Sequence, residues 1–316
     1  MVRFLARRLI QGAVLLLLLS VVVFLMVHLA PGDAAEFAIN QRANEEEIQR
    51  FRHQLGLDLP WYRQYLRLAG SWARLDFGTS IIQRKPVGTI IRDRLPRTAE
   101  LLGLSILFSL LLAIPIGVVS AIKQYSVWDN VVTVLSFIGI AMPSFFLAII
   151  LILAFAVKLH WLPTQGTQTV GQEATLGDHL RHLVLPVLVL TLIRTAGWSR
   201  YLRSSMLEVL RQDYVRTAHA KGLPERVVIF RHAFRNAVMP IITLLGLSLP
   251  DLVAGAIVTE QIFSWNGLGQ LIVSSAGKRD TPVVLALTLM SGAAIIVGNL
   301  LADIGYRIVD PRIELA

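Results

Sequence analysis

Asp178, His179 and His182 carry side chains that metal sites use, with the two imidazoles three residues apart. A zinc centre takes three or four firm ligands. No third firm ligand accompanies the histidines, so the sequence reads them as interfacial polar residues and assigns no metal. Cys is absent, which removes disulfides and thiolate ligands. No G-x-x-x-x-G-K-[ST] segment occurs, and Gly277-Lys278-Arg279 lacks the upstream glycine and the hydroxyl. If ATP drives this protein, another chain must bind it. Charged side chains at membrane depth would mark an ion or proton path. Arg194, Asp251, Glu260 and Asp303 lie within or near the ends of apolar runs, where snorkelling or pairing suffices. A proton-coupled carrier would place an acid or histidine in mid-run, and none stands there. An intramembrane enzyme would need a convergent Ser/His/Asp or metal constellation, which is also missing.

The stretch 213–243, DYVRTAHAKGLPERVVIFRHAFRNAVMPIIT, offers binding in place of catalysis. Met206, Leu210, Tyr214 and Ala218 recur every four residues, so 203–221 is expected to form one helix with a single apolar stripe. Gly222 stands where a left-handed C-terminal cap would fall. Pro224 and Glu225 suit the first turn of a following helix. Val227, Phe230 and Phe234 would carry the apolar face on towards Pro240. The expected product is a helix, a sharp Gly-Leu-Pro turn and a second helix lying against the membrane. Such a knob could fit a groove in a partner through a few buried anchors and a charged rim.

The elements that must position this hairpin are apolar. The chain has 316 residues, 54% of them hydrophobic and 16% charged, and its mean hydropathy is +0.61. Soluble domains carry about 25% charged residues, so the composition points to an integral membrane protein. A helix needs roughly 20 apolar residues to cross the bilayer core. Six segments qualify: 9–30, 99–122, 131–157, 183–198, 238–258 and 283–304. The first is longer than a signal-peptide core and no A-x-A site follows, so it is read as a retained anchor. The net charge of +9 does not indicate nucleic-acid binding, because the basic residues flank apolar runs and form no single patch with aromatics. Arg3, Arg7 and Arg8 place the N-terminus inside, and six crossings return the C-terminus inside. The loop 199–237, rich in Arg and Lys, then falls inside, whereas the outer loop 158–182 has only Lys158 and Arg181. Section 31–98, expected outside, reads as short amphipathic helices over 45–55 and 61–75. Pro115, Gly117, Gly139 and Pro143 suit kinks and close helix approach in the second and third spans. Trp161, Trp198 and Trp265 are expected as interfacial anchors.

Asp213, Tyr214, Val215, Arg216, Thr217, Ala218, Ala220, Lys221, Gly222 and Leu223 resemble the coupling loop of ABC-importer permeases, in the version found in the dipeptide/oligopeptide/nickel family. Arg216 stands where the generic pattern has Glu, and His219 fills a position that is commonly Arg. Further motifs in family order are 56–60 with Gln64-Tyr65, then Phe77-Gly78-Thr79-Ser80, Lys85-Pro86-Val87 and Leu95-Pro96-Arg97-Thr98. Residues 260–269 (EQIFSWNGLG), Arg279-Asp280-Thr281-Pro282 and Asp310-Pro311-Arg312 follow, with Gln261, Asn266 and Thr281 departing from the usual pattern. The resemblance covers nearly the whole chain.

It implies an all-α polytopic membrane protein with six transmembrane helices and a cytoplasmic coupling-helix hairpin. The parts would be an anchor helix in 1–30, an extracytoplasmic section in 31–98, a five-helix core in 99–306 that contains the loop 199–237, and a cytoplasmic tail in 307–316. It implies a non-catalytic permease subunit in the bacterial inner membrane, with both termini cytoplasmic and di- or oligopeptides as solutes. The implied partners are a paralogous permease in a heterodimer, two cytoplasmic ATPases carrying ATP and Mg, an extracytoplasmic solute-binding protein and membrane lipid. No cofactor is expected in this chain, and no nucleic acid. The residues expected to touch the ATPases are Asp213, Tyr214, Arg216, Thr217, Ala218, Ala220, Lys221, Gly222, Leu223 and Glu225. Phe263, Trp265 and Gly267 are candidates for an extracytoplasmic gate or a binding-protein contact. The competing reading is an autonomous secondary carrier or channel.

Overall fold

In the computed structural model the described residues are 2–29, 58–171, 173, 175–251 and 256–309, with 46, 49, 50, 52, 53 and 56. Part of the expected helix over 45–55, part of motif 56–60, Asp310-Pro311-Arg312 and most of the C-terminal tail lie outside them. Among the described residues the regular structure is helical, apart from an isolated bridge between Thr79 and Pro86. The order is α1 (Val2–Leu29), α2 (Trp61–Trp72), α3 (Val87–Ile122), α4 (Val127–Ala141), α5 (Ser144–Lys158), α6 (Leu176–Leu210), α7 (Asp213–Ala220), α8 (Glu225–Ala237), α9 (Met239–Leu247), α10 (Ile257–Ile262), α11 (Leu268–Gly277) and α12 (Thr281–Val309). Four of these are long and apolar enough to cross a membrane, and the count is six if each of two bent pairs is one span. Helices dominate because hydrocarbon offers no partner to a backbone N–H or C=O, and only a helix or closed barrel satisfies them internally.

Several boundaries differ from the sequence expectation. The third span is not one rod: α4 and α5 meet at an angle of 106°. Pro143 begins α5, and Met142 before it is extended at φ −81° and ψ 121°. A proline disfavours the helical conformation at its predecessor and supplies no N–H, and at Pro143 the helix breaks. The fifth span begins with α9, whose nine residues reach only about 14 Å at about 1.5 Å per residue. Residues 252–255, in the remainder of that segment, lie outside the described set. The second span starts at Val87, so its helix runs through Leu95-Pro96-Arg97-Thr98 and continues past the 98/99 boundary. The fourth, expected over 183–198, is the core of the 35-residue α6, with Pro186 inside.

The chain forms two compact units. The first takes its described residues from 1–98, 250–257 and 266–296. Here α2 lies on α1: the Tyr65 hydroxyl is 2.8 Å from Ser20 Oγ, and its ring meets Phe24 at 5.5 Å. Distant motifs are tied to one another. The Ser80 hydroxyl donates to the Asp280 carboxylate, which also accepts the Ile81 N–H at 3.0 Å. Leu268 opens α11 with an N–H that no residue of its own helix can accept. Thr98 Oγ1 accepts it at 2.7 Å, from 170 residues earlier. Val87, Ile90 and Ile91 pack with Leu268, Leu271, Val283, Ala286 and Leu287 around these bonds. The family-like motif 77–80 is thus tied to 279–282, and 95–98 to 260–269.

The second unit takes 99–249, 258–265 and the described part of 297–316. Its helices approach through small residues. A Cβ on Gly117 would stand 2.8 Å from the Ser199 carbonyl oxygen, and one on Gly139 2.7 Å from Ala196 Cβ. Ser109 Oγ reaches the Thr191 carbonyl at 3.3 Å, and Ser136 meets Ser199 at 3.5 Å. These contacts set α3 and α4 against α6. Asp129, in the first turn of α4, is 2% exposed and accepts Arg203 Nε at 2.6 Å and Nη2 at 2.8 Å. Ala148 and Ala156 of α5 pack with Leu185 and Val189 of α6 and with Phe263. Trp198 and Trp265 are 6% and 0% exposed, so they fill the protein interior and are not interfacial anchors; Trp161, at 63%, is exposed.

Asp280→Ala should leave the buried Ser80 hydroxyl and Ile81 N–H unpaired, a loss of about 2 kcal/mol. The thermal midpoint in detergent is expected to fall by roughly 4 °C or more. A midpoint within about 1 °C of the parent protein's would refute the tie between the motifs.

Candidate coupling site

The expected helix over 203–221 divides in two. α6 ends at Leu210, Gln212 is extended at φ −73° and ψ 149°, and α7 restarts at Asp213. The restart rotates the stripe. Met206 is fully buried and Ala218 is buried as expected, but Val215, at 1% exposure, joins it on the inner side of α7 while Tyr214 is 42% exposed. The return limb differs for a related reason. Val228–Ala233 is a π-helix, whose wider turn shifts register relative to an α-helix. Val228, Ile229 and Ala233 therefore face inward and Phe230 outward, and of the expected Val227, Phe230 and Phe234 face Phe234 packs on the core.

The turn forms as its residues dictate. Gly222 has φ +74°, in the region that glycine enters without penalty. The Gly222 N–H donates to the His219 carbonyl at 2.9 Å and the Leu223 N–H to the Ala218 carbonyl at 3.4 Å. This is the Schellman pattern, which satisfies carbonyls at a helix end. Pro224, at φ −55° and ψ 139°, then leads into α8 with Glu225 in its first turn. Its two chain neighbours aside, no heavy atom among the described residues lies within 4 Å of where a Gly222 Cβ would stand. The glycine is therefore required by its backbone conformation and not by packing within the chain.

Val215, Ala218 and Val228 form a small apolar seam with Val209 and Leu210. Asn236 Nδ2 donates to the Tyr214 hydroxyl at 2.8 Å and closes the hairpin at its base. Arg216 Nη1 reaches Asp213 Oδ1 at 3.4 Å, and the Thr217 hydroxyl donates to the Asp213 carbonyl at 2.9 Å. Asp213, Tyr214, Arg216, Thr217, Ala220, Lys221, Gly222, Leu223 and Glu225 are exposed together on the outer surface. Ala218 is the exception among the expected contact residues: at 4% exposure it packs inward and supports the turn. Ile229, Ala233 and Ala237 of α8 pack with Val118 and Ala121 of α3 and Trp198, Leu202 and Met206 of α6. The hairpin is thus continuous with the helix core.

Phe263 and Trp265, 2% and 0% exposed, are interior, and Gly267 is also buried. Aromatic bulk at this depth is absorbed by the protein's own core, so an extracytoplasmic gate or binding-protein contact at these three residues would act from inside it. The neighbours that reach the surface are Gln261, Ser264 and Asn266. His179 stacks near Trp265 at 5.6 Å. Its Nδ1 donates to the Thr167 carbonyl at 3.1 Å, and its Nε2 lies 3.0 Å from each Glu100 carboxylate oxygen. His182 Nδ1 is 2.8 Å from the Asp178 carbonyl oxygen, and Asp178 itself accepts from Thr169. The histidines serve protein-internal bonds, and among the described residues no group of three His, Asp or Glu is placed to hold a metal. Arg194 spends one donor on Ser248 Oγ at 3.1 Å. Sequence reasoning passed over Asp129 and counted Arg203 only as loop charge. The pattern Ser126-x-x-Asp129 at a helix start was the available signal.

Residues 113–315 match the family described as "Binding-protein-dependent transport system inner membrane component", and residues 1–102 match its N-terminal companion. The chain is 44% identical over 315 residues to the oligopeptide transport system permease protein AppB of Bacillus subtilis (strain 168), covering 99% of this chain and 100% of that one. It is 37% identical to the di/tripeptide transport system permease protein DppB of Pseudomonas aeruginosa (strain UCBPP-PA14), covering 99% of each. It is 36% identical to the glutathione transport system permease protein GsiC of Escherichia coli (strain K12), again covering 99% of each. A solved structure of the MetNI methionine ABC transporter in inward-facing conformations shares the fold at a TM-score of 0.53 and 16% identity, covering 71% of this chain and 97% of that one. The chain belongs to the family of binding-protein-dependent transport-system inner-membrane components: it is a multi-pass, non-catalytic permease subunit of an ATP-driven importer, a type that works with ATPase subunits and a solute-binding protein.

Proposed function

We propose that this permease imports di- or oligopeptides as half of a heterodimer with a paralogous permease, and that the turn around 213–225 docks into its ATPase partners. Both termini and this turn lie in the cytoplasm in this reading, following the excess of basic residues in 199–237 over 158–182. The observation that carries the docking role is the turn itself. It is rigidly capped, exposed, and built of Ala220, Gly222 and Leu223, with open space where a Gly222 side chain would project. Small residues admit a partner closely, and Arg216, Lys221 and Glu225 can orient it by charge. ATP can shift the permease only through contacts that differ between its inward- and outward-facing states. A capped hairpin packed on Val118, Ala121, Leu202 and Met206 supplies such a contact and hands its displacement to α3 and α6. The solute class rests on the peptide transport named for the relatives that align over nearly the whole chain.

Replacing 216–225 with a Gly/Ser linker should abolish recovery of ATPase subunits with the tagged chain while the paralogous permease still co-purifies. Undiminished ATPase recovery would sink the docking role. At Gly222, Asn tolerates positive φ and should retain uptake, whereas Trp should lower uptake per ATP hydrolysed by about tenfold without preventing membrane insertion. Normal uptake by Gly222→Trp refutes the close contact. In proteoliposomes with the binding protein and internal ATP in the physiological orientation, labelled oligopeptide should accumulate. Accumulation of a nickel chelate or an oligosaccharide, with none of peptide, would reassign the solute.

A further inference from the structure

Asp129 joins three helices through one carboxylate. Oδ1 accepts Arg203 Nε at 2.6 Å and the Ser120 hydroxyl; Oδ2 accepts Arg203 Nη2 at 2.8 Å and the Tyr125 N–H at 2.9 Å. A carboxylate has about four acceptor sites, and all are used. Ser120 closes α3, Tyr125 lies in the turn that follows it with φ +62°, Asp129 opens α4 under the Ser126 cap, and Arg203 belongs to α6. The Asp129 side chain is 2% exposed and that of Arg203 25%.

Burying such a pair is a poor way to gain stability, since desolvation offsets much of the attraction. What a forked pair adds is directional register. Its two N–H···O bonds weaken steeply with misalignment and are lost beyond about 3.5 Å, so the fork favours one placement of α6 against α4 over its neighbours. Its position matters as well. Ala121 adjoins Ser120 and Leu202 adjoins Arg203 in sequence, and Ala121 and Leu202 belong to the cluster that receives Ile229, Ala233 and Ala237 of the hairpin. α4 makes no part of that cluster. It leads instead into the 106° bend with α5.

The geometry points to Asp129 and Arg203 as positioning residues for transport: beside the packing of Gly139 on Ala196, their fork fixes the register of α4 on α6, so that displacement of the hairpin reaches the α4–α5 bend in step. This rests on the coupling role proposed for the hairpin. None of Ser120, Tyr125, Asp129 and Arg203 belongs to the exposed hairpin surface 213–225.

The test uses the assembled transporter in proteoliposomes and reads three quantities: thermal midpoint, ATP hydrolysis, and uptake per ATP hydrolysed. The variants are Asp129→Asn, Arg203→Gln and the double variant Asp129→Asn/Arg203→Gln. Each single change strands a charge and should lower both the midpoint and the uptake ratio. The double variant strands none, so the midpoint should recover while the uptake ratio stays about tenfold low with hydrolysis persisting. If the ratio recovers along with the midpoint, the pair is structural only and the inference is overturned. A ratio within about twofold of the parent's in either single variant overturns it too. If the single variants do not fold, the double variant decides. Gly222→Trp, measured beside them, separates the two levels. Normal coupling there removes the hairpin reading and this inference with it, whereas uncoupling by Gly222→Trp with a normal double variant removes this inference alone.

Discussion

Backbone satisfaction in hydrocarbon is the constraint on which the rest depends. Once every N–H and C=O must be bonded within its own helix, the helices can recognise one another only through side chains, and lipid offers no hydrophobic contrast to drive them together. The second unit solves this with small and hydroxylated residues on α3, α4 and α6. Gly117 and Gly139 let backbones approach Ser199 and Ala196 closer than a methyl would allow, and Ser109, Thr191, Ser136 and Ser199 bond across the gaps. α6 is long enough to carry this packing and then continue into the hairpin, which makes it the common member of core and coupling site.

Interruptions of helix occur where the sequence or a polar bond set allows them. Pro143 turns the third segment through 106°, and the π-turn of α8 rotates Val228, Ile229 and Ala233 inward. An irregularity inside an apolar bundle forfeits backbone bonds, so it persists where neighbouring packing compensates. The bend between α4 and α5 is flanked by α6 on both limbs through Gly139 against Ala196 and Ala148 beside Leu185 and Val189. Bent and rigid elements therefore alternate along one path: a capped turn, a packed limb, a forked ion pair and a broken helix.

The candidate turn was legible because its chemistry is local. Gly222 before Leu223-Pro224 can be read as a cap from φ preferences alone, and the structure places it at φ +74° with both Schellman bonds. The inward face was misread because it depends on register. A two-residue break at Arg211 and Gln212 and a π-turn at 228–233 each rotate the helix beyond them, and no periodicity argument that assumes an unbroken α-helix can anticipate either. Trp198 and Trp265 were misplaced for a different reason: an indole suits a membrane interface and a protein core equally, and only packing chooses between them. The family-like motifs were recognisable as strings, but that Ser80 binds Asp280 and Thr98 caps Leu268 could not be read from them.

What the sequence determined by itself was the solvent, the class and the turn: apolar runs long enough to leave water, loop charge of uneven sign, no nucleotide-binding loop, and glycine and proline at the positions where the hairpin reverses. Those are properties of one residue or of one continuous segment, so spacing along the chain suffices to reveal them. The tertiary structure decided which side chains face inward, where spans bend, and which charges meet. Asp129 and Arg203 are 74 residues apart and look like two ordinary polar residues at helix ends. Their bond exists only because Gly117, Gly139 and the serines beside them let three helices come close enough for one carboxylate to reach them all.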